Sequence, residues 1–468
     1  MNNMFFEREI YTKLEEWVMH FSGLALYLHG PRQVGKTSIL SKLGEEKFER
    51  YVYINLYVED MRVQFENNIA AHREKHGYAK SDEDYAPMWE EIFSGYDPSY
   101  INSPETLVVI DEIQESSVAY NNIRQIRRGL KSKLAITGSY LGVTNNFKGY
   151  KMPAGDIFRV EMSSMTFTEF LKANKVWDEY KPIETFDWAK MNKAEQNICE
   201  RVRELYRVYC QIGGYPEVVY NWVTTNNVGL CQVVTAGLVE SFYGESSEYF
   251  GEIIGHTLWK NTLERVASHM ITKSGDLDVT IAKEMFRDDN TEGLGVRRRD
   301  KINALKWLDE CCITGTVRVY DKLEKVASIS NKLLFYFRDM GFLTQLGKNL
   351  VQILPSDLTG MLAENFVYLH LLKEAGHLFI EEDVCSFNGQ HGQIDFVMHD
   401  QQRKRYGIEV KHNKGDTKSG DTALKEGQID YLIRVQDTYG SVQAHQATVP
   451  IFMLDKLNSR LHYTKGFI

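Results

Sequence analysis

The sequence predicts an α/β protein whose first part is built on a parallel sheet, and two segments carry this prediction. "GLALYLHGPRQVGKTSILSKL" runs from an apolar strand, Leu24 to Leu28, through a glycine-containing loop into a helical pattern. "TLVVIDEIQES" is a second apolar strand, Leu107 to Ile110, which ends in two acids. Buried apolar strands that alternate with helices are typical of parallel sheets covered on both faces.

The composition is that of a globular protein with several domains. The chain has 468 residues, of which 43% are hydrophobic and 25% charged. A formal net charge of -9 argues against a surface coated with nucleic acid, so any contact with DNA is expected to be local. The six cysteines form no CxxC pair, and no apolar window reaches the length of a membrane span. We therefore expect a cytoplasmic protein with reduced thiols and no membrane segment.

The loop after the first strand has the spacing GxxxxGK[ST]. Glycines let the backbone approach a phosphate chain closely, and the following helix directs its positive end toward it. Lys36 can reach the outer phosphates, and the Thr37 hydroxyl can ligate Mg²⁺. The nucleotide-binding residues predicted from this spacing are Gly30, Pro31, Arg32, Gln33, Val34, Gly35, Lys36, Thr37 and Ser38.

The acids after the second strand complete the predicted nucleotide site. Asp111 is placed to hold Mg²⁺, and Glu112 to polarise the attacking water as a base. A third strand in "SKLAITGSYLG" ends near the γ-phosphate, where Ser139 is the preferred polar contact and Thr137 the alternative. Lys36, Glu112 and Ser139 are thus the predicted catalytic residues, and Thr37 and Asp111 the predicted metal ligands.

These motifs, together with "MTFTEFL" and "GGYPEVV", resemble a family of bacterial and archaeal AAA+-type P-loop ATPases. The resemblance implies ATP as the nucleotide and an AAA+-like core over residues 1–165. It further implies a helical lid over 166–255, a winged-helix-like domain over 256–325 and a poorly characterised C-terminal domain over 326–468. It also implies an arginine that reaches the γ-phosphate, for which Arg127, Arg128 and Arg159 are candidates.

Two stretches outside these motifs also allow predictions, one about local structure and one about phosphate contact. The segment between the second apolar strand and the strand "YVYIN" is predicted to be mostly helical and exposed. The basic residues Arg297, Arg298, Arg299 and Lys301 precede a predicted helix and are candidates for phosphate contact. A short basic run of this kind is more commonly a solvated helix start.

The C-terminal stretch "GQIDFVMHDQQRKRYGIEVKHN" predicts two adjacent strands that carry charged residues. Asp395 and Glu409 could hold one or two divalent cations, the Val410 carbonyl could add a ligand, and Lys411 could orient water. Alternation along a strand directs Glu409 and Lys411 to one side and Val410 into the core. Glu364 on a preceding helix is a further candidate ligand. The arrangement is similar to the PD-(D/E)XK restriction-endonuclease-like fold, whereas ordinary cross-strand charge pairing is the plainer alternative.

Three functions are consistent with the sequence. The leading one is a Mg²⁺-dependent ATPase that couples nucleotide state to a nuclease-like, nucleic-acid-handling C-terminal domain, with a second divalent cation at the C-terminal site. The alternative is a regulatory ATPase switch whose C-terminal domain is inactive and docks a partner protein. The third is a ring-forming remodeller of proteins. DNA, a partner protein and an oligomeric state therefore stay open, and ATP and Mg²⁺ are the predicted cofactors.

Overall fold

The computed structural model divides the chain into two compact units. The first unit consists of residues 8–164 and 310–312, and the second of residues 1–7, 165–309 and 313–468. The residues that the structure describes are 5–77, 81, 85–139, 155–250, 264, 305, 307–320, 333–349, 355–378, 384–389, 392–400, 403–411 and 418–457.

The first unit is organised around a parallel sheet. In its described residues five strands lie in the order β2-β3-β4-β1-β5, and all neighbours are parallel. The strands are β1 Ala25–His29, β2 Arg50–Asn55, β3 Thr106–Asp111, β4 Lys133–Gly138 and β5 Ile157–Glu161. The predicted parallel α/β core is therefore confirmed. The loop after β1 and the two acids at the end of β3 lie at the same edge, because the carboxyl ends of parallel strands meet there.

Helices cover the sheet of the first unit. They are α1 Tyr11–Glu16 with a π-helical turn Trp17–Phe21, α2 Lys36–Lys47, α3 Glu59–His76, α4 Ala86–Tyr96, a short 3₁₀ helix Ile113–Glu115, and α5 Ser117–Gly129. The segment before β3 is helical, as predicted. The prediction that it is exposed was wrong for α4, because Trp89 and Phe93 are fully buried in the core against Phe65 of α3. Apolar residues at helical spacing outweigh the surrounding charges there.

The second unit begins with a group of helices. They are α6 Phe167–Ala173, α7 Trp177–Tyr180, a 3₁₀ helix Trp188–Lys190, α8 Lys193–Ile212, α9 Pro216–Thr225 and α10 Val228–Phe250. Capping boxes at Thr166 and Asn192 begin α6 and α8. The glycines of "GGYPEVV" separate α8 from α9, and a Cβ on Gly214 would lie 2.0 Å from the Met165 carbonyl oxygen. The predicted helices from residue 166 onward are thus confirmed through residue 250.

A mixed sheet forms the rest of the described second unit. Its strands lie in the order β12-β11-β10-β9-β8-β6-β7. Their bounds are β6 Thr314–Tyr320, β7 Leu333–Phe337, β8 Cys385–Gly389, β9 Gly392–His399, β10 Arg405–Lys411, β11 Tyr431–Gln436 and β12 Gln446–Pro450. The associated helices are α11 Met340–Asn349, α12 Pro355–Leu378, α13 Lys418–Lys425 and a 3₁₀ helix Ile451–Met453.

Strand pairing in this sheet crosses the domain boundary predicted at residue 326. β8, β9 and β10 form an antiparallel meander, and β11 and β12 continue it in parallel. β6 pairs with β7 in antiparallel and with β8 in parallel, so it belongs to the same sheet although it lies before residue 326.

Some predictions fall on other parts of the chain. Most of the winged-helix-like region, including Arg297, Arg298, Arg299 and Lys301, lies outside the described residues. In the part of the chain that the structure describes, no helix is both long enough and apolar enough to cross a membrane.

Candidate functional site

The glycine loop after β1 has backbone angles that few side chains allow. Gly30 has φ +146° and Gly35 φ +99°, both in the region that favours glycine. A Cβ on Gly30 would lie 2.0 Å from the carbonyl oxygen of Met162, the residue after β5. Gln33, between them, also has positive φ, at 63°. Backbone packing against the residue after β5 therefore requires the first glycine.

Lys36 lies at the start of α2 and is directed back into the loop. Its ammonium group donates to the carbonyls of Gly30 (2.9 Å) and Pro31 (2.8 Å) and to the hydroxyl of Ser139 (3.1 Å). The side chain is buried, and burial lowers the pKa of Lys36 to about 8, although Glu112 and Asp111 act in the opposite direction. The structure thus brings together Lys36 and Ser139, two of the predicted catalytic residues.

Asp111 accepts four hydrogen bonds. Thr37 and Tyr53 each donate a hydroxyl to Oδ2 at 2.7 Å, and Thr137 donates to Oδ1 at 3.1 Å. The backbone N–H of Glu112 donates to Oδ1 at 3.0 Å. A buried carboxylate next to a threonine hydroxyl is a hard-oxygen pair of the kind that Mg²⁺ prefers. Thr37 and Asp111, the predicted metal ligands, are therefore in direct contact.

Two polar residues of this network were not predicted. Tyr53 comes from β2, where its alternation with buried Val52 and Ile54 suggests only a sheet position. Gln114 is nearly fully buried, and its amide donates to the Glu112 carboxylate at 2.5 Å. Glu112 itself has φ 51°, an uncommon conformation for a residue with a side chain. For the contact between Gln114 and Glu112, the signal in the sequence was a polar residue two positions after the acid.

Arg8 is a third residue that the sequence motifs do not reveal. Its guanidinium donates to the carbonyl of Val34, in the glycine loop, at 2.7 Å and to that of Ser163, after β5, at 2.6 Å. The side chain is only 7% exposed. Arg8 therefore holds the loop against the segment that follows the edge strand. It precedes the first helix and belongs to no motif, so the contact depends on tertiary structure alone.

The arginine candidates lie away from the loop or within the sheet. Arg127 donates to the carbonyls of Ser22 and Gly23, immediately before β1. Arg128 pairs with Asp156, immediately before β5. These contacts are at the amino edge of the sheet, whereas the glycine loop is at the carboxyl edge. Arg159 is in the middle of β5, with its guanidinium 5.5 Å from the ring centre of its β1 neighbour Tyr27.

At the C-terminal candidate site, Glu409 is completely buried on β10. Its Oε1 accepts hydrogen bonds from the Ser419 hydroxyl (2.8 Å) and the Gly420 N–H (2.9 Å), both in the first turn of α13. Its Oε2 has no hydrogen-bond partner among the described residues and lies 3.9 Å from the Lys411 ammonium. Glu409 and Lys411 thus face the same side, as strand alternation predicted.

Asp395 and Glu364 lie close to this strand. Asp395 on β9 accepts a hydrogen bond from the Val410 N–H at 2.8 Å, and Glu364 on α12 accepts one from the Tyr336 hydroxyl at 2.6 Å. Burial, and after it the charge of Asp395, raises the pKa of Tyr336 well above its ordinary value. The prediction that Val410 points into the core was wrong: Val410 is half-buried and Glu409 fully buried, because α13 covers the glutamate.

The three carboxylates of this region do not converge tightly. Over the described ranges, only one set of three histidine, cysteine or acidic residues brings a ligand atom from each within 4.8 Å of the others, and it lies in the first unit. Glu364, Asp395 and Glu409 therefore form no such set in this structure. The predicted residues share one region of the second unit without forming a closed ligand shell.

Comparison with known proteins identifies the first segment. Residues 22–171 match the family described as the AAA domain. The match covers the glycine loop, both acids at the end of β3 and the polar end of β4. It supports a nucleotide-binding ATPase of the AAA type. No curated protein sequence matches the chain.

Solved structures show weak similarity. Caenorhabditis elegans PCH-2 is 13% identical with a TM-score of 0.23, and the alignment covers 47% of this chain and 63% of that one. Cdc6p from Pyrobaculum aerophilum is 13% identical with a TM-score of 0.25, covering 78% and 97%. AMPPCP-bound DnaA from Aquifex aeolicus is 12% identical with a TM-score of 0.24, covering 65% and 90%. TM-scores this low do not establish a shared fold.

Proposed function

We propose that this protein is a Mg²⁺-dependent ATPase that hydrolyses ATP at the glycine loop of its first unit. One observation carries the proposal: the buried Asp111 carboxylate contacts the Thr37 hydroxyl that follows the loop lysine. The AAA match over residues 22–171 agrees with it. A carboxylate and a hydroxyl held together behind a phosphate-binding loop are the parts that phosphoryl transfer requires.

Each residue has a distinct role in this proposal. The loop from Gly30 to Ser38 binds the phosphates through its N–H groups, and Lys36 binds the outer phosphate oxygens. Thr37 and Asp111 would hold Mg²⁺, which neutralises phosphate charge when it is bound. Glu112 orients the attacking water and accepts its proton, with Gln114 holding its carboxylate.

ATP must displace contacts that the loop makes with itself. Lys36 bonds to two loop carbonyls and to Ser139, and Thr37 bonds to Asp111. Phosphate oxygens replace the acceptors of Lys36, and Ser139 is then free to contact the γ-phosphate. The side chains that contact the loop in this structure are thus the ones that would bind the nucleotide.

Paired binding and turnover measurements test this proposal. Glu112→Gln should retain ATP affinity and lose hydrolysis by about 10²-fold or more, because it removes the base and keeps the shape. Lys36→Ala should lose binding. Glu105→Gln, an exposed acid at the other end of β3, is the matched control and should behave as the unmodified chain. Unchanged turnover in Glu112→Gln would remove Glu112 from the reaction.

We further propose that nucleotide state is coupled to a nuclease-like site in the second unit. The elements α12, β8, β9, β10, α13 and β11 follow the helix–strand–strand–strand–helix–strand order of the fold resembled by the sequence. Glu409 offers a buried carboxylate oxygen without a hydrogen bond among the described residues, and Lys411 lies 3.9 Å from it. Asp395, Glu409 and Glu364 could hold a second divalent cation, and Lys411 could orient water.

A specific observation favours the alternative, an inactive C-terminal domain that docks a partner protein. One oxygen of Glu409 is already bonded to the first turn of α13. The three carboxylates also do not meet within ligand distance of one another. A nuclease site would require Glu364, Asp395 and Glu409 to move closer when the metal binds, whereas a docking surface requires no such rearrangement.

An assay for cleavage of labelled single- and double-stranded DNA distinguishes the nuclease function from the docking function. The assay uses Mg²⁺ or Mn²⁺, with and without ATP, on the full chain and on Asp395→Asn, Lys411→Ala and Lys36→Ala. Cleavage that is lost in the first two variants and altered in the third supports a coupled nuclease. Glu426→Gln, an exposed acid in the same region, is the control. An intact ATPase without cleavage under any condition would favour the docking function.

A further inference from the structure

We propose that His29, Glu161 and Cys312 form a binding site for a transition-metal ion of the Zn²⁺ class. One ligand atom from each of these side chains lies within 4.8 Å of the others. All three residues belong to the first unit. None of them takes part in the proposed Mg²⁺ site, so this inference stands independently of ATP hydrolysis.

The sheet holds two of the ligands in register. His29 is the last residue of β1 and Glu161 the last residue of β5, and the two are direct neighbours in the parallel pairing. The Met162 N–H also donates to the His29 carbonyl at 2.8 Å, which continues the pairing beyond the strand. Two of the three ligands are therefore positioned by rigid backbone, as a preorganised metal site requires.

The third ligand comes from a distant part of the chain. Cys312 is buried and lies in the short segment 310–312 that packs with the first unit. Its φ of 57° is in the left-handed region, as is common just after the end of a helix, and the N–H of the next residue, Ile313, donates back to the Leu308 carbonyl at 3.0 Å. This helix end places the Cys312 sulfur within 4.8 Å of the ligand atoms of His29 and Glu161.

The donor set selects the class of metal. An imidazole nitrogen, a thiolate sulfur and a carboxylate oxygen are the ligands that Zn²⁺ takes, whereas Mg²⁺ and Ca²⁺ take oxygen. Bond lengths of about 2.0–2.3 Å place the ligand atoms of a tetrahedral site roughly 3.5 Å apart. Because all three ligand atoms lie within 4.8 Å of one another, a contraction of at most about 1.3 Å would bring them to this spacing. Three protein ligands leave a fourth position for water.

The proposed metal site is adjacent to the glycine loop. His29 directly precedes Gly30, whose carbonyl accepts a hydrogen bond from Lys36. A bound ion would therefore fix the start of the loop.

Metal binding to the purified chain, freed of metal by a chelator and carrying no affinity tag, tests the proposal. Zn²⁺ is titrated by calorimetry, and Co²⁺ is used as a spectroscopic probe because thiolate coordination gives intense charge-transfer absorption. We expect a thiolate band that saturates at one ion per chain. Cys312→Ala should abolish this band, and Glu161→Gln should weaken binding at the site at least about tenfold, or 1.4 kcal/mol.

Two controls make the result specific. Cys311→Ala, the adjacent and equally buried cysteine, should bind metal as the unmodified chain does. Asp111→Asn should also retain Zn²⁺, because it alters only the Mg²⁺ site. Circular dichroism and thermal unfolding establish that each variant is folded. Absence of the thiolate band in the unmodified chain, or its persistence in folded Cys312→Ala, would overturn the proposal and leave an ordinary charged cluster beside a buried thiol.

Discussion

At the scale of single residues, the first unit keeps charged groups away from water and compensates each with hydrogen bonds. Asp111 accepts four such bonds, and Lys36 and Arg8 both donate to carbonyls of the glycine loop. Buried charges are tolerated in proteins only when they are paired in this way. The same burial makes the charge of Lys36 sensitive to pH near neutrality.

ATP affinity is predicted to fall as pH rises above about 8. Burial lowers the pKa of Lys36 to about 8, so the lysine loses its proton above that pH unless phosphate oxygens contact it. Bound phosphates favour the charged form, so binding must take up a proton there and weakens by up to roughly tenfold per pH unit. The measurement is an ATP titration from pH 7 to 9.5. Lys36→Arg, which stays charged, should show a flat profile, and a flat profile in the unmodified chain would contradict the prediction.

Arg8→Ala is predicted to weaken ATP binding about tenfold or more while the unit stays folded. The change removes two hydrogen bonds from a charged donor, each contributing roughly 1.5–3 kcal/mol, and frees the Val34 carbonyl of the loop. Because Arg8 positions the loop, the KM for ATP should rise more than kcat falls. Steady-state kinetics and a thermal melt report this. A fall of about tenfold in kcat with an unchanged KM for ATP would instead indicate that Arg8 has a direct role in the reaction.

These residues show where sequence-based prediction stops. Lys36, Thr37, Asp111 and Glu112 lie within short apolar contexts whose spacing indicates their chemistry. Arg8, Tyr53 and Cys312 reach the same unit from separate segments, and only strand order and loop packing bring them together. A local sequence pattern does not indicate which distant segment a residue will contact, because that contact depends on the order of the strands in the folded sheet.

At the scale of elements, the glycine loop is shaped by the neighbouring edge strand. The position that a Gly30 side chain would occupy is filled by the carbonyl of Met162. The backbone of the glycine loop therefore packs directly against the residue that follows β5. Helix α2 begins directly after the loop, at Lys36.

Gly30→Ala is therefore predicted to abolish ATP binding and to destabilise the first unit. A Cβ there would lie 2.0 Å from a backbone oxygen, which cannot move without disturbing the end of β5. Gly23→Ala is the matched control, because nothing lies within 4 Å of its Cβ position. Nucleotide binding and urea denaturation of the two variants give the comparison. Normal ATP affinity in Gly30→Ala would show that the loop has another accessible conformation.

The helices were more predictable than the strand partners. Capping residues and 3.6-residue periodicity indicate α6 to α10 directly. The partnership of β6 with β8 was not predictable, since more than sixty residues separate Tyr320 from Cys385 and no local signal links them. The same reason explains why α13 was not expected to cover Glu409.

At the scale of the whole molecule, the proposed coupling requires nucleotide binding in one unit to alter the other. Each unit has its own sheet and core, so protection can be followed separately in each. Binding to the folded state alone adds about 2.7 kcal/mol of stability at a ligand concentration of 100 Kd.

Hydrogen exchange with and without Mg²⁺-ATP is predicted to show protection in both units. Amides of the glycine loop and β3 should exchange more slowly, and a smaller change should reach β10 and the first turn of α13, where Glu409 is held. Lys36→Ala should remove both effects. Protection confined to the first unit would contradict the coupling while leaving ATP binding intact.

The order of strands in the first sheet also determines when this site can form as the chain is synthesised. β1 emerges early, but its two neighbours are β4 and β5, which begin at residues 133 and 157. A nascent chain that ends before β5 has the complete glycine motif and lacks the carbonyl of Met162 against which the motif packs. Because such non-local pairing forms slowly, the apolar β1 strand must wait unpaired. Nucleotide binding therefore arises only after β5 and Met162 have been made, and the glycine motif alone is not sufficient for it.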